Sequence, residues 1–513
     1  RSLNMIPEYS LNKKRVLFNE VLVTSFTTAI VAVVIIMAIA MPGKVVFMLM
    51  GASIAILVAT LSGDIRLFTL VAMAFVVPLS FAKQFYPLPH MGGAYSVNIS
   101  LAEAGLITLY VLWGLKTYQK TPTKIITPLN VVLFAIIPVS LLSLLNTIYF
   151  TLAGYELIRM SMTFLLFFYV SNNVRNIREV VLIMFALMLI TFMQSGYGIL
   201  QYAIGLKIPF LAQFGETATV KENLGEFLSI ARVGGTMGHP NVLAAFLVLM
   251  LPLALALILS ELKFLYKAFL AFVLLAGTVT LILTLSRGGW MSFAIGALVI
   301  VFLASRSKVL HYGSNTFVLT TMIAVFVLIG IAFSGDIYLK ITASQESSLV
   351  SRWELMKSAV AMIKDHPLVG VGVNSFSFIF PDYDLSGIPW GPWNPPVHNI
   401  YLLIWSETGT IGLASFIIII IFLYRVGFRI LKNSQDITTL CVTMGLIGSL
   451  TGAFIHFSVD WNFRTDPLQR TFYLLAGLLA AIDRLVQEKT DEKKAAAQEI
   501  QPGIKEEMAS CHK

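Results

Sequence analysis

Cysteine is almost missing from this chain. Only two of its 513 residues are Cys, Cys441 inside an apolar run and Cys511 near the C-terminal end, which excludes a disulfide framework and a thiolate metal cluster. Charge is nearly as scarce. Charged residues make up 12% of the chain, about half the share found in soluble domains, while 57% are hydrophobic and the mean hydropathy is +0.82. A water-soluble globule is excluded. The net charge of +9 is therefore to be read by side of a membrane and not as an attraction for nucleic acid. Several chemical signatures are also missing. There is no Walker phosphate loop, no Rossmann glycine fingerprint, no H-E-x-x-H and no G-x-S-x-G, so ATP-driven transport and serine hydrolysis lack their usual residues.

Long apolar runs are what the chain has in abundance. A bilayer asks for about 20 apolar residues per crossing, and backbone groups in lipid must be satisfied within the segment, so each run is expected to be a helix. About fourteen are legible on that spacing: 21–41, 45–61, 65–82, 99–115, 127–147, 157–172, 179–203, 240–260, 266–285, 288–304, 315–334, 398–423, 438–459 and 470–485. The expected fold is an all-α integral membrane protein, a polytopic bundle of about 14 (12–14) transmembrane helices with a large outer-side loop containing short helices. The first run follows Lys13, Lys14 and Arg15 and is too long for a cleavable signal core, so it reads as a retained span. Lys and Arg concentrate in 116–124, 172–179, 305–308, 424–432 and the tail, which places those connections and both termini in the cytoplasm. The chain then divides into a cytoplasmic N-terminus (1–20), eleven spans (21–334), a large outer-side loop (335–397), three spans (398–485) and a cytoplasmic tail (486–513). Within the loop, Leu355, Ala359, Met362 and Ile363 recur at helical spacing between Arg352 and Asp365, and His366-Pro367 closes that helix.

The few polar residues on the outer side carry the functional reading. Arg232, Arg287, Arg352 and Arg464 sit in the longer outer loops or at span mouths. An arginine keeps its charge and grips phosphate oxygens as a fork. Arg232 precedes glycines and a helix opened by His239, Pro240 and Asn241, and such an N-terminus favours an anion. Arg287 lies in a Gly-rich break between two spans, and Arg352 opens the loop helix. The bland alternative for each is a guanidinium that snorkels to headgroups or pairs with a loop carboxylate. His398, followed by Asn399, stands at the water–lipid boundary with a side chain suited to proton transfer. As a helix opener it also fits a plain cap. Glu103 and Glu407 lie within apolar spans, where ionisable groups are costly. They would serve an ion or proton path if the protein were a transporter or channel. The Asp382-Tyr383-Asp384 triplet matches a metal-binding pattern of sugar transferases, but it lies on the face where nucleotide sugars are absent. Trp390, Trp393 and Tyr401 suit either sugar stacking or interfacial anchoring.

Four segments taken together resemble a known family. They are ARVGGTMGHPNVLAAFL (231–247), LTLSRGGWMSF (283–293), SRWELMKSAVAMIKDHPLVGVGVNSF (351–376) and HNIYLLIWSETGTIGL (398–413). Their order and spacing resemble the O-antigen ligase and O-antigen polymerase superfamily of bacterial envelopes over roughly 190–425. The resemblance implies an inner-membrane glycosyltransferase with no metal or other cofactor. It would take a glycan from an undecaprenyl-pyrophosphate carrier on the periplasmic side. The acceptor would be a sugar hydroxyl, on the lipid A core for a ligase or on another carrier-linked repeat unit for a polymerase. By motif, Arg232, Arg287 and Arg352 would bind the pyrophosphate and His398 would be the catalytic base. Asn399, Glu407, His239 and Asn241 would be possible supporting residues. Membrane lipids are expected partners and nucleic acid is not. A transporter using Glu103 and Glu407, or a non-catalytic lipid-glycan binding protein, are the rival readings. Convergence of the arginines and His398 on one outer cavity would separate the first of these from a transferase.

Overall fold

In a computed structural model of the protein, residues 63–117, 127–206, 220–223, 229–307, 345–390 and 394–510 are described, together with Gly335. The chain forms two compact units, residues 1–69 and 70–513. Of the first, only 63–69 are among the described residues, and they include the start of a helix. The remainder of this description concerns the second unit.

Helices dominate, as apolar runs in lipid require. In chain order they are α1 (Ile65–Val76), α2 (Leu101–Thr117), α3 (Pro128–Leu142), α4 (Phe150–Asn173), α5 (Ile177–Ile204), α6 (Pro240–Ile258), α7 (Phe264–Leu283), α8 (Arg287–Arg306), α9 (Gln345–Asp365), α10 (Phe376–Tyr383), α11 (Ile400–Asn433), α12 (Ile437–Phe457) and α13 (Asp466–Ser510). Two short antiparallel hairpins, β1 (Ala82–Phe85) with β2 (Val97–Ser100) and β3 (Val220–Asn223) with β4 (Ser229–Arg232), lie in connections. Eight of the described helices are long and apolar enough to cross a membrane: α3 (with the turn after it), α4 to α8, α11 and α12. The protein is a multi-pass, all-helical membrane protein. The runs expected at 65–82 and 99–115 form the shorter apolar helices α1 and α2. The run at 470–485 is one part of the 45-residue α13, which continues along the tail. The spans expected at 21–41, 45–61 and 315–334, and Trp393, lie outside the described residues.

The centre of the bundle is built from α6 and α12, each 89% buried over its apolar window. Small residues let them sit close. A Cβ on Gly445 of α12 would approach the Cβ of Ala256 on α6 to 2.9 Å, and one on Gly452 would lie 2.9 Å from the Ser292 carbonyl of α8. Backbones in lipid gain contact this way, since no hydrophobic drive separates helix from acyl chain.

The connection from α9 to α11 folds back on the bundle as a cover. The expected loop helix is α9, and Leu355, Ala359, Met362 and Ile363 form its buried stripe. Past His366-Pro367, the Gly370–Asn374 segment docks onto α11. Val371 and Gly372 donate their N–H groups to the carbonyls of Ser406 and Glu407 at 2.9 and 3.0 Å. α11 breaks to offer those carbonyls, and Gly409 at the break has φ +66°. The contact demands glycine on both sides. A Cβ on Gly409 would fall 2.1 Å from the Leu368 carbonyl oxygen, and one on Gly370 would fall 2.3 Å from the Glu407 carbonyl carbon.

Candidate functional site: an arginine-lined cavity beneath the cover

At the end of the bundle carrying α9 and α10, a cavity of about 380 Å³ is lined by Arg232, Asn241, Arg287, Arg352, Trp390, His398, His456 and Asp460, among others. Four connections meet there: β4 to α6, α7 to α8, the cover into α11, and α12 to α13. Three guanidiniums therefore face one carboxylate, Asp460, among the lining residues. The charged lining is thus predominantly cationic.

Each arginine is presented differently. Arg232 ends β4 and is fixed: its Nε donates to the Thr284 carbonyl (2.9 Å) and its Nη2 to Asn241 Oδ1 (2.7 Å). Arg287 is the first residue of α8. Ser286 caps that helix by accepting from the Gly289 N–H at 3.4 Å, and Leu285 before it takes φ +51°, which turns the chain sharply between α7 and α8. The glycines after Arg287 are needed because α8 starts in tight quarters. A Cβ on Gly288 would lie 2.7 Å from Val459, and one on Gly289 would lie 3.0 Å from Ala244. The half-buried Arg287 side chain forms no hydrogen bond or ion pair with other described residues. Arg352 reaches the Val459 carbonyl with Nη1 at 3.3 Å, which joins the cover to the α12–α13 turn.

His398 is held on its far side. Its Nδ1 points at Asp460 Oδ1, 3.8 Å away, an ion-pair distance too long for a hydrogen bond. That leaves Nε2 for the cavity. Asp460 is itself anchored: Oδ2 accepts from Asn241 Nδ2 at 2.8 Å and Oδ1 from the Trp461 N–H at 2.7 Å. A line of contacts thus runs Arg232–Asn241–Asp460–His398. Burial alone would raise the Asp460 carboxyl, but His398, His456 and Arg352 hold it down, from the ordinary 3.8 to about 2. The sign follows directly. The stabilisation from ionised Asp460 is complete above about pH 4 and is lost only as pH falls through about 2. Asp460→Asn should therefore lower activity of the site across the neutral range. Any acid loss of activity with a midpoint above pH 4 should persist in that variant; its disappearance would show that Asp460 itself titrates there.

Of the eight residues given roles by motif, five, Arg232, Asn241, Arg287, Arg352 and His398, line this one cavity, as does Trp390. The other three do not. His239 is an exposed N-cap of α6, with Nδ1 accepting from the Asn241 N–H, and Asn399 caps α11 by accepting from the Leu402 N–H. Glu407 is buried elsewhere and pairs with Arg464, which also pairs with Glu156 at 2.9 Å. Glu407 Oε1 also accepts from the Phe376 N–H at 3.3 Å, so it clasps the cover to α11. Glu103 is a capping residue: it accepts from the Ser100 N–H at 2.7 Å at the start of α2 and pairs with Arg470. Both acids named for a transporter are thus engaged in ion pairs away from the cavity. In the Asp382–Asp384 triplet, the Asp384 carboxylate accepts from the Ser386 N–H and from Trp390 Nε1, which orders the cavity wall. Tyr401 is spent on packing, its hydroxyl donating to the Phe454 carbonyl. Asp460 and His456 were missed. The available signal was H-F-S-V-D at 456–460, a histidine and an acid four apart where an apolar run ends.

These features define a multi-pass membrane protein whose arginine-lined cavity is assembled under a folded-back cover. Residues 270–417 match the family model described as O-Antigen ligase. The match contains Arg287, Arg352 and His398, whereas Arg232, Asn241, His456 and Asp460 flank it. No curated protein matches the chain. Among solved structures, a chain from "a peptidoglycan synthase complex" aligns over 70% of this chain and 97% of its own, at 16% identity and a TM-score of 0.37. That likeness is too loose to bear on function.

Proposed function

We propose that the protein transfers a glycan from an undecaprenyl-pyrophosphate carrier to a sugar hydroxyl, with the cavity facing the periplasmic side of a bacterial inner membrane. The observation that carries this reading is the convergence of Arg232, Arg287, Arg352 and His398 on one cavity. In the reaction the acceptor oxygen bonds to the anomeric carbon of the donor. The bond from that carbon to the pyrophosphate oxygen breaks, and the lipid pyrophosphate leaves with the electron pair. A pyrophosphate is a good leaving group, so the main demand is to neutralise its growing charge. Arginine forks in a shielded site can do that without a metal. The acceptor hydroxyl loses its proton to His398 Nε2 as attack proceeds. Asp460 beneath Nδ1 steadies the imidazolium that forms, and the line through Asn241 ties this base to Arg232. The cover formed by α9 and α10 limits water and hence hydrolysis of the donor.

The test is purified protein with a labelled carrier-linked glycan, offered either lipid A core or further donor. A longer carrier-linked product means polymerase, and a labelled core means ligase. Release of free glycan alone, or no turnover with either acceptor, would count against transfer. In the same assay Arg287→Lys should fall about tenfold or more, because a point charge replaces a bidentate fork. Wild-type rates in that variant would remove Arg287 from pyrophosphate binding.

A further inference from the structure

The cavity contains a second histidine that the mechanism above does not use. His456 closes α12, is only 1% exposed, and lines the same cavity as Arg287. Its Nδ1 is fully enclosed with no hydrogen-bond partner among the described residues. A buried N–H donor without an acceptor is rarer and costlier than an unused lone pair. His398 Nδ1 faces the Asp460 carboxylate at 3.8 Å, which favours a proton there, whereas His456 has no carboxylate within ion-pair distance among the described residues, so its proton belongs on Nε2. That nitrogen faces the start of α8: a Cβ on Gly288 would lie 3.8 Å from His456 Nε2 and 3.6 Å from Cδ2. Glycine at 288 thus leaves the imidazole edge open towards the first turn of α8. There the N–H groups of Arg287 and Gly288 have no helical acceptor, while the Gly289 N–H is taken by Ser286. Three kinds of donor border the same cavity: the two free main-chain amides that form the positive end of a 20-residue helix, the Arg287 fork and an imidazole N–H.

We propose that His456 binds substrate, its Nε2–H donating to a phosphate oxygen of the lipid-diphosphate donor held at the start of α8. The inference rests on the transferase reading above and adds to it the position of the diphosphate and a binding residue. His398 and His456 divide the site accordingly. His398 faces the acceptor and accepts a proton, and His456 faces the donor, hydrogen-bonds it and keeps its proton.

Three variants test this in detergent-purified protein: His456→Phe, which keeps the ring volume without a donor; His456→Gln, whose amide nitrogen reaches the place of Nε2; and Arg287→Ala as a reference for donor binding. The readings are KM for carrier-linked glycan, inhibition by inorganic pyrophosphate, and thermal unfolding. Losing one hydrogen bond to a charged oxygen should raise KM for the donor and weaken pyrophosphate inhibition by about tenfold to a hundredfold in His456→Phe. KM for the acceptor and the unfolding temperature should stay unchanged, and His456→Gln should recover to within about threefold of wild type. Unchanged donor KM in His456→Phe would overturn the proposal. So would parallel loss of activity and thermal stability in both His456 variants, which would mark a packing residue. If wild type binds no pyrophosphate and Arg287→Ala changes nothing, the donor reading of the cavity fails, and this proposal with it. If Arg287→Ala weakens pyrophosphate inhibition and His456→Phe does not, only this proposal fails.

Discussion

Changing His398 to alanine should reduce glycan transfer by about 10²–10⁴-fold, the range that positioned proton transfer contributes. The protein should still insert and fold. His398 is only partly buried, and among the described residues its one ion-pair partner is Asp460 at 3.8 Å and it makes no hydrogen bond, so its loss opens little space. Binding of the donor should survive, because the three arginines remain. The predicted signature is a fall in kcat with donor KM near wild type, the mark of an interaction made only in the transition state. Asp460→Asn should fall less, since the imidazole remains and loses only its steadying charge. In the double variant the second change should add little, as expected for residues that act as one unit. Full transfer in His398→Ala, measured with labelled carrier-linked glycan, would remove the base assignment. Equal losses in kcat and in donor binding would move His398 to the arginine side of the site.

The membrane fold and much of the cavity were legible in the sequence for one physical reason: charge is rare in this chain, so each arginine near a span mouth had to be explained. Arg287 and its two glycines were readable because a tight helix start needs small residues after the cap. The loop helix was readable from its buried stripe at Leu355, Ala359 and Met362. Pairings between distant segments were not. Arg464 looked equivalent to Arg232, Arg287 and Arg352, yet its guanidinium turns into the bundle towards Glu156 and Glu407. Glu407 was visible as a costly buried acid, but its partner lies 57 residues further on and its second duty, holding the Phe376 N–H, depends on a loop folding back. His456 and Asp460 were hidden because hydropathy places the end of a span without saying which other ends it meets. Packing of α12 against α6 and α8 brings them to Asn241 and Gly288, and periodicity in one segment carries no trace of that.

Replacing Arg464 by alanine should destabilise the protein strongly. Arg464 is 5% exposed, and its partners Glu156 and Glu407 are 1% and 2% exposed. Glu156 also pairs with Arg159, and Arg159 pairs with Asp466 at 3.2 Å. The network thereby joins α4, α11, the α12–α13 turn and α13. It reaches the cover too: Glu156 accepts from the Ala94 N–H, and the Asn374 amide donates to the Ala94 and Leu152 carbonyls. Removing one partner of a buried pair leaves a charge without solvent or counter-ion, at about 3–5 kcal/mol. Here two carboxylates lose the guanidinium between them, although Arg159 still serves Glu156, so the larger burden falls on Glu407. The consequence should extend to the cavity. Glu407 holds the Phe376 N–H, and its main-chain carbonyl receives Gly372, so a carboxylate driven to seek water would loosen the cover that carries Arg352 and Trp390. Arg464→Ala should therefore lower both the unfolding temperature and transfer, whereas His398→Ala lowers transfer alone. Arg464→Met combined with Glu407→Gln should recover much of the stability, because the uncompensated charge is gone while an amide oxygen still accepts from Phe376. An Arg464→Ala protein that unfolds at the wild-type temperature would show that the network does not hold the cover. A double variant no more stable than Arg464→Ala would place the loss in packing instead of charge.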